Sequence, residues 1–141
     1  MALVQPFFGG AVLKPMRQLQ NIETNRGTLT VIERLPFPIR RVYYLHGINP
    51  SQDRPGHAHK ALKRLMIAVS GSFLVRYRDK AWKEVLLDDP GKGLMIDPMV
   101  WVELSDFTSN AVCMVLASEE HDENDVIRDF TEFKRAKRCS A

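Results

Sequence analysis

The chain has 141 residues, 45% hydrophobic and 26% charged, with a formal net charge of +3. This is one domain's length with an ordinary globular balance and enough chain to bury a core. The only basic cluster, Lys134-Arg135-Ala136-Lys137-Arg138, has no interleaved aromatic residues and reads as a solvated helix end rather than a nucleic-acid patch. No apolar run approaches the ~20 residues of a membrane span, so neither a nucleic acid nor a membrane is an expected partner.

In chain order, Met1 to Pro15 is apolar but lacks a basic leader region and is broken by Pro6 and Gly9-Gly10. It reads as an extended arm or short edge strands rather than a signal peptide. Asn25-Arg26-Gly27 is a turn, and 28–33 follows as a strand. Pro36 and Pro38 form a corner before a strand over 40–46, rich in aromatic and β-branched residues. A loop over 47–56 leads into His57-Ala58-His59. Apolar residues 65–69 and 73–77 flank Ser70-Gly71-Ser72 as a hairpin. Strands are predicted at 82–87, 93–96 and 100–104, and centrally at 111–117. Short strands with turn signals every 8–12 residues indicate a sandwich or barrel. Only the end changes period: Val126, Ile127, Phe130 and Phe133 fall at helical spacing, with Asn124 or Asp125 as the expected cap. Cys113 lies in the central apolar run and Cys139 in the tail, a spacing that fits neither a disulfide framework nor a zinc site. A reducing, cytoplasmic setting is the expectation.

The chemistry concentrates in Arg54-Pro55-Gly56-His57-Ala58-His59-Lys60. A strand has a side-chain period of two, so His57 and His59 point to one face and can bind a metal or move protons. A His-x-His at a strand start followed by a Gly- and Pro-containing second motif resembles the cupin pattern. The metal-binding version of that pattern needs a carboxylate about four residues after the second His, and another His in the second motif. Here Lys63, Arg64 and Val102 stand in those places, so no metal is expected, although Glu103 is a conceivable substitute ligand. The pair then works as acid and base, since an imidazole with a pKa near ~6.5 takes and returns a proton at neutral pH. Tyr43 and Tyr44 are adjacent, so only one faces the same cavity. Arg41 and Arg54 are candidate phosphate clamps, because a guanidinium fork matches phosphate oxygens. Trp82 and Trp101 are read as core or interface residues, with base stacking as the alternative.

Together these segments resemble the dTDP-4-oxo-6-deoxyglucose 3,4-ketoisomerases, a family of sugar-nucleotide cupins. The resemblance runs over about residues 25–133. It is carried by Asn25-Arg26-Gly27-Thr28-Leu29, Ile39 to Tyr44, Arg54 to Lys60, Gly71-Ser72, Pro98-Met99-Val100-Trp101 with Glu103, Asp106-Phe107, Ala111 to Ser118, and Asp122-Glu123 with Asp125, Ile127 and Arg128. It implies an all-β fold, a small cupin or jelly-roll β-barrel with a short C-terminal helix. It implies a homodimer that exchanges N-terminal strands, so that residues 1–24 are the arm, 25–133 the single domain and 134–141 a basic tail. It implies a metal-independent reaction with no cofactor, moving the carbonyl of a thymidine diphosphate-linked 4-keto-6-deoxyhexose from C4 to C3 through an enediol, on a route to 3-amino-3,6-dideoxy sugars. By this similarity His57, His59 and one of Tyr43 or Tyr44 transfer the protons. Arg26, Arg41, Arg54, Lys60, Arg64, Arg76, Trp101 and Glu103 are the substrate-binding candidates. Arg64 stands where the resemblance leads one to expect Gln, Val102 where some members have His, and Leu74 where a basic residue is common, with Arg76 on the same strand face. An epimerase of dTDP-4-keto sugars and a non-catalytic sugar-nucleotide-binding cupin are the alternatives, with a metal-dependent dioxygenase-like cupin more distant.

Overall fold

The computed structural model describes residues 15–51 and 54–139. Its strands are β1 (Met16–Gln18), β2 (Gln20–Thr24), β3 (Gly27–Val31), β4 (Arg41–Leu45), β5 (Ala58–His59), β6 (Arg64–Ser70), β7 (Phe73–Arg78), β8 (Trp82–Leu87), β9 (Lys92–Ile96), β10 (Trp101–Ser105), β11 (Val112–Ala117) and β12 (Val126–Ile127), followed by the helix α1 (Phe130–Cys139). A five-stranded sheet in the order β1-β9-β6-β11-β4 faces a three-stranded sheet in the order β10-β7-β8. All their pairings are antiparallel.

The core lies between these two sheets. Met66, Ala68, Leu94, Ile96, Cys113 and Val115 from the larger sheet meet Phe73, Val75, Leu87, Val102 and Leu104 from the smaller. Period-two alternation puts the intervening residues outside. On β6 the inward set begins with Arg64, and Leu65 and Ile67 pack outward under Phe37 and Leu19. The outer face of the five-stranded sheet stays partly open, with Val42 54%, Tyr44 58% and Val69 41% exposed. The turn between β6 and β7 needs its glycine: Gly71 has φ of 64°, and a Cβ there would run into Thr108 and Asn110.

The small cupin fold with a C-terminal helix is as expected, but its sheets face each other without closing into a complete barrel. The end of the chain differs from expectation. Val126 and Ile127 are not helical; they pair antiparallel with His59 and Ala58, a pairing that suits β-branched side chains. The helix starts at Phe130, and its cap is Asp129, whose Oδ1 accepts the N–H groups of Thr131 at 2.7 Å and Glu132 at 3.3 Å. The helix then runs through residues 134–139, and its Phe133, 1% exposed, joins Ala58, Trp101 and Ile127 in a second small core. Of the expected N-terminal arm, residues 1–14 lie outside the described residues. Residues 16–18 pair with β9, and 20–24 form a hairpin with 27–31 whose turn holds the boundary expected between 24 and 25.

Candidate functional site

The His-Ala-His segment is held by backbone bonds on both sides. His57 exchanges hydrogen bonds with Val102, N–H to carbonyl at 3.1 Å and carbonyl to N–H at 2.9 Å. The N–H of Met99 donates to the His59 carbonyl at 2.7 Å, and Met99 itself sits at φ of 60°, an uncommon conformation for a non-glycine residue. Gly56 is required just before the pair: a Cβ there would lie 2.5 Å from Trp101 Nε1 and 2.8 Å from Glu103 Cγ. Ala58 turns toward Trp101 and Ile127. The two imidazoles, on the other side, meet edge to face with ring centroids 5.3 Å apart.

Their partners make them unequal. His59 Nδ1 donates to Asp125 Oδ2 at 3.2 Å, while Asp125 Oδ1 accepts the Ala61 N–H at 2.9 Å. With the proton on Nδ1, Nε2 of His59 holds the lone pair. His57 Nε2 instead accepts from Arg64 Nη1 at 3.3 Å. The Pro55 carbonyl accepts from the same ring, and with Nε2 facing Arg64 the donor is Nδ1. Burial, then the Arg64 guanidinium, then His59 lower the His57 pKa from 6.5 to about 4. Burial and Arg64 also bring His59 to about 4, against the opposing pull of Asp125. Both rings are therefore neutral at physiological pH. Arg64 is 1% exposed; burial lowers its pKa, and the Tyr43 hydroxyl is the first of the groups that favour its charged form.

Alternation on β4 turns Tyr43 toward the core and leaves Tyr44 58% exposed beside His46. Arg41 lies over the Tyr43 ring, 4.6 Å from its centroid. It also lines, with His59, Asp125, Arg40, Glu119 and His121, an open cleft of about 840 Å³. Tyr43, Arg41, His57, His59 and Arg64 are thus brought together. Most of the other candidates point elsewhere. Arg26 is exposed in the β2–β3 turn, and Lys60 reaches out to the Asn124 carbonyl at 3.1 Å. Arg54 is exposed, yet its charge is felt at buried Cys113. Because Val102 faces the core, its neighbours Trp101 and Glu103 face away from it. Trp101, 3% exposed, packs against Phe130 and Phe133 and donates to Glu103 Oε2 at 3.0 Å. Arg76 lies over Trp82 and pairs with Glu84 and Glu103. The donor set does not suit a divalent metal: Arg64 holds the Nε2 of His57, Val102 is the neighbour across the bridge, and Asp125 is bonded to His59 itself. Among the described residues no helix is long and apolar enough to cross a membrane.

Residues 14–138 match the family model described as "FdtA: WxcM-like, C-terminal". A TDP-4-oxo-6-deoxy-alpha-D-glucose-3,4-oxoisomerase of Aneurinibacillus thermoaerophilus is 41% identical over 120 residues, covering 82% of this chain and 86% of that protein. The chain belongs to the 3,4-ketoisomerase family of sugar-nucleotide cupins. Among solved structures it is similar to QdtA, a sugar 3,4-ketoisomerase from Thermoanaerobacterium thermosaccharolyticum in complex with TDP, with TM-score 0.85, 36% identity and 92% and 98% of the two chains covered. It is also similar to a 3,4-ketoisomerase from Helicobacter canadensis, with TM-score 0.84, 35% identity and coverage of 87% and 96%. A dTDP-4-dehydrorhamnose 3,5-epimerase from Bacillus anthracis, 13% identical with TM-score 0.70, shares the fold. Asp125, the partner of His59, is a residue whose place in the sequence suggested a helix cap. Its signal was a carboxylate beside β-branched residues that continue as a strand.

Proposed function

We propose that the chain is a metal-independent 3,4-ketoisomerase acting on a thymidine diphosphate-linked 4-keto-6-deoxyhexose, with His59 as the base at carbon. The observation that carries this is the Asp125–His59 bond, which fixes the tautomer so that Nε2 is the unprotonated nitrogen. His59 Nε2 takes the proton from C3, and the C3–H electrons form the C3–C4 double bond while the C4 carbonyl oxygen gains the charge. The proton of the C3 hydroxyl passes to the C4 oxygen, with the Tyr43 hydroxyl as relay. Protonation at C4 then leaves a carbonyl at C3. No electrons leave the sugar, so no redox partner is needed. The 3-ketone formed is a group that amine transfer to C3 would consume.

The test is proton NMR of chelator-treated protein with TDP-4-keto-6-deoxyglucose in deuterated water. A 3-keto product is expected without added metal. Deuterium at C3 with no carbonyl shift would indicate an epimerase, and bound but unchanged substrate would indicate a binding protein.

The working unit we propose is a cytoplasmic homodimer, as befits an enzyme of nucleotide-sugar synthesis with free cysteines. Its support is the apolar outer face of the five-stranded sheet, with Val42 and Tyr44 on β4, Met114 on β11 and Val69 on β6. A Tyr44→Asp substitution is expected to shift the sedimenting species from dimer toward monomer by at least about tenfold in Kd, because it buries a charge in an apolar interface. A wild-type monomer in sedimentation would remove the dimer from this account.

A further inference from the structure

The basic cluster at the end of the chain gains a counterpart in the fold. Lys134, Lys137 and Arg138 stand at helical spacing on one side of α1. With Arg78, Asp79 and Lys80, where β7 turns toward β8, they line a cleft of about 690 Å³ floored by buried Phe133. Five cations there face one carboxylate, an excess greater than the net +3 of the whole chain. The carboxylate is itself engaged, since Asp79 Oδ1 accepts the Lys80 N–H. Among the described residues Arg78, Lys80, Lys134 and Arg138 make no ion pair. Arg78 and Lys134 even share one ring: the guanidinium lies 5.5 Å and the ammonium 5.2 Å from the Phe130 centroid. Like charges four residues apart on a helix cost stability. The cluster therefore suits an anion that the described residues do not supply.

The lining sets the class of that anion. A cleft of about 690 Å³ has the size of a small-molecule site rather than of a groove that tracks a polymer. No ring is left for a base to stack on, because Phe133 is 1% exposed and Phe130 already carries two cations. Recognition is then by charge alone. One carboxylate would neutralise little of it, whereas phosphate groups offer several oxygens to the arginine forks and lysine ammoniums. Two linked phosphates can span from the β7–β8 turn to the helix. One lysine of the cleft also reaches the reaction site. Lys137 Nζ donates to the Met99 carbonyl at 2.9 Å, and the Met99 N–H donates to the His59 carbonyl at 2.7 Å. Met99, at φ of 60°, is held in a conformation that its side chain disfavours. We infer that this cleft is a second anion site, apart from the histidines, that takes a diphosphate-bearing small molecule, and that Lys137 carries its occupancy to the histidine segment. An occupant draws the Lys137 ammonium toward its phosphates and away from Met99. The backbone that holds the histidine pair is then less restrained, and turnover slows.

The binding half of the test stands by itself, and the rate half rests on the ketoisomerase reading. Wild type and the double variant Lys134→Gln with Arg138→Gln are titrated by calorimetry with pyrophosphate and with TDP. Wild type is expected to take up one more equivalent of pyrophosphate per chain than the double variant, whose affinity at this site is at least about tenfold weaker. The same extra equivalent with TDP would support a nucleoside diphosphate as occupant, and its absence with TDP would support inorganic diphosphate. At saturating TDP-4-keto-6-deoxyglucose, where competition at the reaction site no longer affects the rate, pyrophosphate is expected to lower wild-type kcat about two- to fivefold. It should leave the double variant unchanged, and Lys137→Met should show that fall with no pyrophosphate present. If the double variant does not fold, Lys80→Gln takes its place with the same expectations. Equal pyrophosphate uptake by wild type and variant would overturn the site, as would binding of a glutamate-rich peptide where pyrophosphate does not bind. Pyrophosphate bound in the cleft with kcat unchanged would overturn the role of Lys137. Wild type that does not shift the carbonyl would overturn the ketoisomerase reading, while the pyrophosphate titration would still decide the site.

Discussion

His59→Asn is expected to lower kcat for the carbonyl shift by about 10³–10⁴-fold, the upper range for loss of a general base, with TDP affinity within about threefold of wild type. His57→Asn is expected to cost far less, about 10- to 50-fold. The asymmetry follows from what each ring touches. His59 has its Nδ1 proton committed to Asp125, so Nε2 is left as a base. Both nitrogens of His57 are already engaged, one by Arg64 and one by the Pro55 carbonyl. An asparagine amide oxygen can still accept from Arg64, so the His57 variant keeps much of the guanidinium's position. Deuterium exchange at C3 is the most direct readout, because it needs only the first proton transfer. If His57→Asn abolishes exchange and His59→Asn does not, the base has been assigned to the wrong ring.

Which of two neighbouring histidines is the base was beyond the sequence, though their common face was legible. His-x-His has strand parity, and parity alone places both rings on one side. The same alternation makes Val102 inward and therefore sends Trp101 and Glu103 away from the cavity. The turn signal Asn25-Arg26-Gly27 located a hairpin that the structure contains, whereas Ser70-Gly71-Ser72 carries the chain from β6 in the larger sheet to β7 in the smaller, so the two strands it joins do not pair as the expected hairpin. What failed was the period at 124–133. Val126 and Ile127 share helical spacing with Phe130 and Phe133, yet the first two are strand and only the second two are helix. Nothing local distinguishes the cases, because β12 exists only through its pairing with β5 across more than sixty residues. Asp125 was obscured for the same reason. As a local residue it resembles a cap, and its partner His59 lies 66 positions away. Arg64 was legible as a cation near the pocket, but not as one without a carboxylate partner. That depends on which side chains from β4, β6 and the 55–59 segment meet inside the sheets.

Asp125→Asn is the substitution that tests the tautomer, and about a 10³–10⁴-fold fall in kcat is expected, approaching the loss of about 10⁴ when a triad carboxylate is turned to amide. The carboxylate accepts two N–H groups at once, His59 Nδ1–H on Oδ2 and the Ala61 amide on Oδ1. An asparagine has one acceptor oxygen. The Ala61 backbone donor cannot change its character, so it takes that oxygen, and the amide NH₂ turns to His59. His59 Nδ1 must then accept, the proton moves to Nε2, and the base is lost although the ring has not moved. Nitrogen NMR of His59 would report the switch directly. Activity within threefold of wild type would show that Asp125 does not set the tautomer. The pH dependence follows from the same environment. With the folded pKa of each ring lowered from 6.5 to about 4, kcat/KM should stay level from neutral pH to about 5 and fall only as the pH approaches 4. Stability should move earlier. Between pH 6.5 and 4 the unfolded chain takes up protons that the folded rings refuse, so the contribution of neutral His57 and His59 is full above 6.5 and is lost as pH falls toward 4. Allowing for partial solvent screening, the loss by pH 5 is on the order of 2 kcal/mol. Melting curves against pH, alongside initial rates, should therefore show stability declining through a range in which catalysis holds.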